Sequence, residues 1–363
     1  MTSASSIHLD LPDLACEAVG GAALVCNDEF FAEKESLVRE GAAVFVVERA
    51  DRARELDQIV ARALSRVPID RFESADEMGA ALEHFMATQP KCDARLIAGG
   101  QTLIPMMAMR LARPSKLIDI ARLPELRGFH EEPDAIVFAA ATRQVEAERS
   151  PLVAARLPLL SAALPWVGHA PTRARGTIGG SIANADPAAE IPLVLVALEG
   201  WVRIRERRTV SEVAARDLFL GAMTTSIPST ACLLSVRFPI WHEHRIGVGF
   251  HEVSARKSDF AYVSAAAQVA LDDSGAICRC ALGIGAATSF PTRLDAVSAA
   301  LEGHKPDAAR IRDAITAAIA EQEIMRDSHA SESYRRRVAI GLAERAINDA
   351  VVNAQSTSTS APA

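Results

Sequence analysis

Residues 175–200 read RGTIGGSIANADPAAEIPLVLVALEG. Gly176, Gly179 and Gly180 stand here among Thr177, Ser181, Asn184 and Asp186. Small side chains at this density leave a backbone that a large ligand can touch at many points. A second Gly–Gly stretch lies upstream, where Ala98–Leu103 reads AGGQTL. It follows a strand-like run, ARLIA (94–98), and precedes a helix-like run, LIPMMAMRLA (103–112). Free amides at the start of a helix suit an anion such as a pyrophosphate, and Gln101 and Thr102 add side-chain donors. The spacing is neither G-x-G-x-x-G nor G-x-x-x-x-G-K-[ST], so the Rossmann and P-loop readings lose support. Two such loops suit a dinucleotide, whose phosphates, ribose and flat ring need many contacts. An ordinary strand-to-helix turn and a Gly-rich structural loop are the alternatives.

Outward from these loops the chain reads as mixed α and β. VPIDRFES (67–74) is a strand ending at Ser74, and Ser74 with Glu77 fits a capping box for a helix to about Ala87. KLIDI (116–120), IVFAAAT (136–142) and ACLLSVRFP (231–239) are further strands. Residues 147–165 are helical, with Pro158 and Pro165 as interruptions, and 168–192 are rich in loop residues. LVLVALEG (193–200) and WVRIRERRTV (201–210) alternate like strands. After Arg245, GVGFHEVS, AAAQVALDD and ICRCALGIGAAT continue a sheet, with the turn signal DDSG between the last two. Helices are expected at Thr292–Leu301, Ala308–Glu323 and Ser331–Val352, and a polar, disordered tail at 353–363. In the first 66 residues, 22–25 and 43–47 read as strands. An amphipathic helix over 48–66 follows, with Leu56, Ile59, Val60, Ala63 and Leu64 on one face.

The 363 residues allow about two or three domains and need no metal or disulfide staple. Apolar residues make up 49% and charged residues 23%, so wholesale disorder is excluded. The net charge of −7 and an aromatic content of 5% argue against a nucleic-acid partner. The six cysteines never fall as C-x-x-C, so neither a zinc ribbon nor a common iron–sulfur run can be assembled. Reduced, mostly buried thiols in a cytoplasmic protein are expected. The N-terminus lacks the pattern of a signal peptide, and no apolar run of about 18 residues predicts a membrane span.

Several segments together resemble the FAD-binding, medium subunits of molybdenum hydroxylases. This family includes the carbon monoxide dehydrogenase flavoprotein and bacterial xanthine dehydrogenase FAD subunits. The segments are LIAGGQTLIPMMAMRLARPSKLIDI, RGTIGGSIANADPAAEIPLVLVALEG, LFLGAMTTSI, LLSVRFP, GFHEVSARKSDFA and DSHASESYRRRVA. The likeness spans about residues 67–352. It implies an α+β protein: a two-lobed FAD-binding domain of the PCMH (vanillyl-alcohol-oxidase-like) type over 67–244, then a small α+β C-terminal domain over 245–352. It implies that Ala98, Gly99, Gly100, Gln101, Thr102 and Leu103 cradle the FAD pyrophosphate. Thr177, Gly179, Gly180 and Ser181 would form a second loop along the cofactor. Asn184 and Asp186 would meet the diphosphate or sugar, Glu190 would contact FAD, and Leu233 would pack on the flavin. His251 stands where xanthine dehydrogenases carry a lysine near the flavin, a departure from the pattern. Asp259 and Tyr262 would lie near the isoalloxazine.

The resemblance implies an electron-transfer subunit. Electrons from two [2Fe–2S] clusters on a small subunit would pass through FAD to NAD or another acceptor, with the molybdopterin site on a large subunit. No metal ligand, catalytic acid or catalytic base is assigned to this chain. A stand-alone FAD-dependent oxidoreductase and a non-catalytic scaffold subunit are the rival readings. His169 reads as a structural histidine. Arg173 and Arg175 read as phosphate ligands or surface residues. Met106, Met107 and Met109 read as core, and Arg335, Arg336 and Arg337 as a solvated helix face or a subunit interface. Residues 13–38, DLACEAVGGAALVCNDEFFAEKESLV, resemble the opening of allantoicase, so 1–66 is read as an N-terminal extension without carried-over activity.

Overall fold

The structure is a computed structural model that describes residues 94–357 and two short strands before them, Ala15–Glu17 (β1) and Phe45–Glu48 (β2). The expected strands at 22–25 and 67–74, the helices over 48–66 and 74–87, and residues 358–363 lie outside the described residues. The chain divides into two compact units.

The first unit takes residues 1–98 and 102–124. After β3 (Ala94–Ile97) come the short helix α1 (Leu103–Ala108) and β4 (Lys116–Asp119). β4 pairs parallel with β3 and antiparallel with β2, giving the order β1-β2-β4-β3. A parallel pair needs a crossover, and the AGGQTL turn and α1 lie in that connection. None of the α1 side chains is buried, and Met109 just beyond it is 62% exposed. The three methionines are therefore not core residues.

The second unit holds residues 99–101 and 125–363. Its first sheet runs β5 (Phe129–Glu132), β6 (Ala135–Ala139), β11 (Ala231–Pro239), β7 (Trp201–Glu206), β8 (Thr209–Ala214), with every neighbour antiparallel. Between β6 and β7 come α2 (Gln144–Glu148), α3 (Pro151–Arg156), α4 (Pro158–Ala163), α5 (Ala170–Arg175), α6 (Ile178–Asn184) and α7 (Glu190–Ala197). A small ribbon, β9 (Phe219–Gly221) with β10 (Thr224–Thr225), follows β8. The stretch read as loop at 168–192 is thus mostly short helices. LVLVA, read as a strand, is helical because α7 is buried from Ile191 to Ala197. A helix covered on all sides shows no 3.6-residue alternation, so its sequence imitates a buried strand.

The second sheet is β12 (Ile246–Val253), β13 (Val263–Leu271), β14 (Ile277–Gly285) and β15 (Thr292–Arg293), all antiparallel. Helices α8 (Asp295–Leu301), α9 (Ala308–Ala320) and α10 (Glu332–Thr357) complete it. The last helix runs past the expected end at 352. All nine residues of β13 are buried, because α7 covers one face and α10 the other. Ala266 and Ala270 belong to the core shared with the first sheet, whereas Val263, Ala265, Ala267 and Val269 belong to the core under α8–α10. Small residues also let α10 lie close on β12. A Cβ at Gly247 would strike the backbone of Ala350 and Ala354, and one at Gly249 the backbone of Ala346.

Gly249→Ala should cost about 1–3 kcal/mol through overpacking and lower the melting temperature. Gly341→Ala, where the added methyl meets nothing within 4 Å, should leave the melting temperature unchanged or raise it, through a gain in helix propensity of up to about 1 kcal/mol. Thermal melts of the two variants against the parent check the contrast.

Candidate cofactor site

Gly99, Gly100 and Gln101 form the tip of the first glycine turn. A Cβ at Gly99 would stand 2.5 Å from the Arg175 carbonyl oxygen and 2.9 Å from Gly176 Cα. The turn therefore rests backbone to backbone on the end of α5. Gly100 has φ +69°, the left-handed region that favours glycine. The Gln101 amide closes the turn by donating to the Gly99 carbonyl at 3.2 Å. No backbone hydrogen bond takes the amides of Gly100 or Gln101 among the described residues, so both are available to an anion. Ala98 lies directly after β3, and Thr102 and Leu103 begin α1.

The second loop does a different job. Thr177 is buried and caps α6, its hydroxyl accepting from the Gly180 amide at 3.0 Å. The Ile178 and Gly179 amides donate to the carbonyls of Thr142 and Ala140, at 2.9 Å each. A Cβ at Gly179 would meet Ala140 at 2.6–2.7 Å, and one at Gly176 the Gln144 side chain at 2.5 Å. These amides are spent inside the fold, so the GTIGGS loop contributes shape rather than free donors. The half-buried Ser181 follows on the same helix. The arginines nearby are also committed. Arg173 forms a two-pronged pair with Glu148 at 2.8 and 2.9 Å and donates to the carbonyls of Val167 and Gly168. Arg143 donates to the Arg175 carbonyl. The His169 side chain is exposed, while its carbonyl accepts from Thr172 and Arg173 in α5.

Past α6 the chain turns at Ala185, buried with φ +52°. Asn184 reaches Met223 of the ribbon, Nδ2 to Sδ 3.9 Å. Asp186 accepts from the Ala188 amide at 2.9 Å, and burial raises its pKa despite that bond. Glu190 opens α7. Burial, with Asp186 adding to it, pushes its carboxyl up to about 7, against the opposing pull of Arg173. The sequence reading missed a third carboxyl, Glu252 on β12. Burial and then Glu190 push it up to about 8, and neither of its buried oxygens has a hydrogen-bond partner.

His251 does not join this group. Successive residues on a strand face opposite ways. Gly247, Gly249 and His251 face α10, where His251 Nε2 sits 2.7 Å from Asp349 Oδ2. Phe250 and Glu252 face the other side, and Phe250 packs on Trp166 with ring centroids 6.0 Å apart. Leu233 is buried in the core of the first sheet, on the strand that α6 packs against. Asp259 is exposed in the 254–262 loop, and Tyr262 at the loop's end stacks on His329 at 6.1 Å. The arginine expectation holds for Arg337, which is exposed, and fails for its two neighbours. Arg335 is buried at 3% exposure, and Arg336 binds the carbonyls of Ile319 and Gln322, so neither is a solvated face.

The family model for the FAD-binding domain in molybdopterin dehydrogenase matches residues 70–241, and that for the CO dehydrogenase flavoprotein C-terminal domain matches residues 249–350. The chain is 33% identical to the 6-hydroxypseudooxynicotine dehydrogenase complex subunit alpha of Paenarthrobacter nicotinovorans, over 74% of this chain and 90% of that one. The chain belongs to the FAD-binding medium subunits of the molybdenum hydroxylases. It is also 33% identical to the carbon monoxide dehydrogenase medium chain of Hydrogenophaga pseudoflava, over 71% of this chain and 89% of that one. A solved carbon monoxide dehydrogenase from the same organism superposes with a TM-score of 0.69 at 31% identity, covering 74% of this chain and 93% of its own. Quinoline 2-oxidoreductase from Pseudomonas putida 86 gives 0.68 at 31% identity, covering 73% and 91%. The cofactor is FAD, and the chain is an oxidoreductase subunit. The residues present fit that cofactor: among the described residues nothing takes the Gly100 and Gln101 amides, and a methyl at Gly99 would push their turn off the Arg175–Gly176 backbone.

Gly99→Ala should weaken FAD binding by about tenfold or more, equivalent to ~1.4 kcal/mol, in a fluorescence titration. Carboxyls with raised folded pKa values bind protons more tightly folded than unfolded. Their stabilisation is complete below about 4.5 and is lost as pH rises through about 7 and 8. The melting temperature of the FAD-free chain should therefore fall between pH 5 and 9, a range bracketing those cited values. Glu252→Gln should flatten that fall.

Proposed function

We propose that this chain is the electron-transfer subunit of a molybdenum hydroxylase complex. It would receive electrons from [2Fe–2S] clusters on a small subunit and deliver them to NAD or another acceptor. Substrate would be oxidised on a molybdopterin-binding large subunit, and the complex would work in the cytoplasm. The names of the relatives support the assembly, since several are subunits or medium chains of dehydrogenase complexes. The two matched regions support a FAD-binding domain over 67–244 and a C-terminal domain over 245–352. Among the described residues no helix is long and apolar enough to cross a membrane.

The observation that carries the reading is the Gly99–Gln101 turn, seated on Arg175–Gly176, with the Gly100 and Gln101 amides unspent among the described residues. In this reading Gly99, Gly100 and Gln101 bind the FAD pyrophosphate. Thr177, Gly179, Gly180 and Ser181 shape the wall beside it. Asn184, Asp186 and Glu190 line the sugar and diphosphate, and Leu233 supports the flavin from the core. Glu252, on the face of β12 opposite His251, lies near Glu190, and burial raises the pKa of both carboxyls. Bound FAD supplies the redox chemistry; the protein supplies binding, orientation and electrostatics. No general acid or base for substrate is assigned to this chain, which suits a subunit that relays electrons.

The purified chain should show flavin absorption bands once FAD is added, and tagged chain should recover a large molybdopterin subunit and a small iron–sulfur subunit. A chain with no flavin bands at saturating FAD would favour the scaffold reading. Full-rate oxidation of a small substrate by the chain alone would favour a stand-alone enzyme.

A further inference from the structure

Arg335 lies in the first turn of α10, buried at 3% exposure. Its Nη1 donates to two carbonyls, those of Tyr262 and Ala286, at 2.5 Å each. Its Nη2 pairs with Asp327, whose other oxygen accepts from the His329 and Ala330 amides at 2.8 and 2.9 Å. One guanidinium thus holds two backbone carbonyls and one carboxylate, and both carbonyls lead toward the cofactor site. Ala286 stands in the left-handed region at φ +57°, and its amide donates to the Pro187 carbonyl at 2.7 Å. Pro187 directly follows Asp186. Tyr262 closes the 254–262 loop, its amide donating to the Val253 carbonyl at 2.7 Å, one residue from Glu252.

We propose that Arg335 is a positioning residue for FAD. It holds the Asp186–Pro187 turn through Ala286 and holds the base of the 254–262 loop through Tyr262. The start of α10 thereby sets the geometry of two segments beside the cofactor that it does not itself touch. Only an arginine can do this. Its planar fork offers several donors in fixed directions, whereas a lysine ammonium is one mobile point charge. Loss of the fork would leave the Tyr262 and Ala286 carbonyls unsatisfied in the interior, which frees both segments to move.

The neighbour Arg336 supplies the control. It also donates to buried backbone, the carbonyls of Ile319 and Gln322, but those belong to the helical layer alone. The inference rests on the cofactor site proposed above. The test uses full-length chain, with FAD titrations by fluorescence and thermal melts run in parallel on Arg335→Met, Arg335→Lys and Arg336→Met. Arg335→Met should weaken FAD binding by about tenfold or more. Arg335→Lys should fall between it and the parent. Arg336→Met should lose melting temperature yet stay within about twofold of the parent affinity. Equal affinity losses at equal losses of melting temperature would overturn the proposal and leave Arg335 a general staple. If Arg335→Met does not fold, Arg335→Lys against Arg336→Met decides by the same comparison. Failure of the parent chain itself to bind FAD would instead overturn the cofactor-site reading.

Discussion

Backbone resting directly on backbone is the constraint from which the cofactor site follows. Gly99 lies on Arg175 and Gly176, and Gly179 lies on Ala140. At each contact the space available is smaller than a methyl group. That closeness brings the first turn against α5 and lets α6 start deep in the lobe. It also consumes donors. With the Ile178 and Gly179 amides bonded to Thr142 and Ala140, the second loop cannot offer the anion site its composition suggests. The division of labour is physical: among the described residues one turn keeps the Gly100 and Gln101 amides open, and the other uses its own to hold the wall in place.

Around that wall the charges are arranged with the same economy. Arg173 and Arg143, which could have met a phosphate, are tied to Glu148 and to backbone carbonyls. The carboxyls of Asp186, Glu190 and Glu252 are partly or wholly withdrawn from water. Burial then favours their neutral forms, which is why Glu190 and Glu252 titrate near or above neutrality. Such groups are common where a protein needs a proton held ready, and structural burial alone can also produce them.

The motifs were legible because glycine and proline carry steric meaning in sequence. AGGQTL was read correctly as a turn between β3 and α1, and the three helices expected after Pro291 are present. Errors arose where tertiary packing overrode local pattern. LVLVA looked like a strand because α7 is buried all round. Met106, Met107 and Met109 looked like core because thioethers usually are, yet α1 buries none of its side chains. Arg335 looked solvated because three consecutive arginines usually are, yet Tyr262 and Ala286, 73 and 49 residues away in sequence, close over it. No local signal reports a partner that distant.

By itself the sequence determined the family, the two glycine loops and the α+β order of elements, because each is written in short-range spacing. Which side chains share a site was decided by tertiary structure. His251 and Glu252 are adjacent in the chain, but a strand sends them to opposite faces, one to Asp349 on α10 and the other toward Glu190. That choice depends on the register of β12 against its neighbours and on the helix packed across it. Both are long-range properties, set by burial on two faces of one sheet rather than by the residues nearest in sequence.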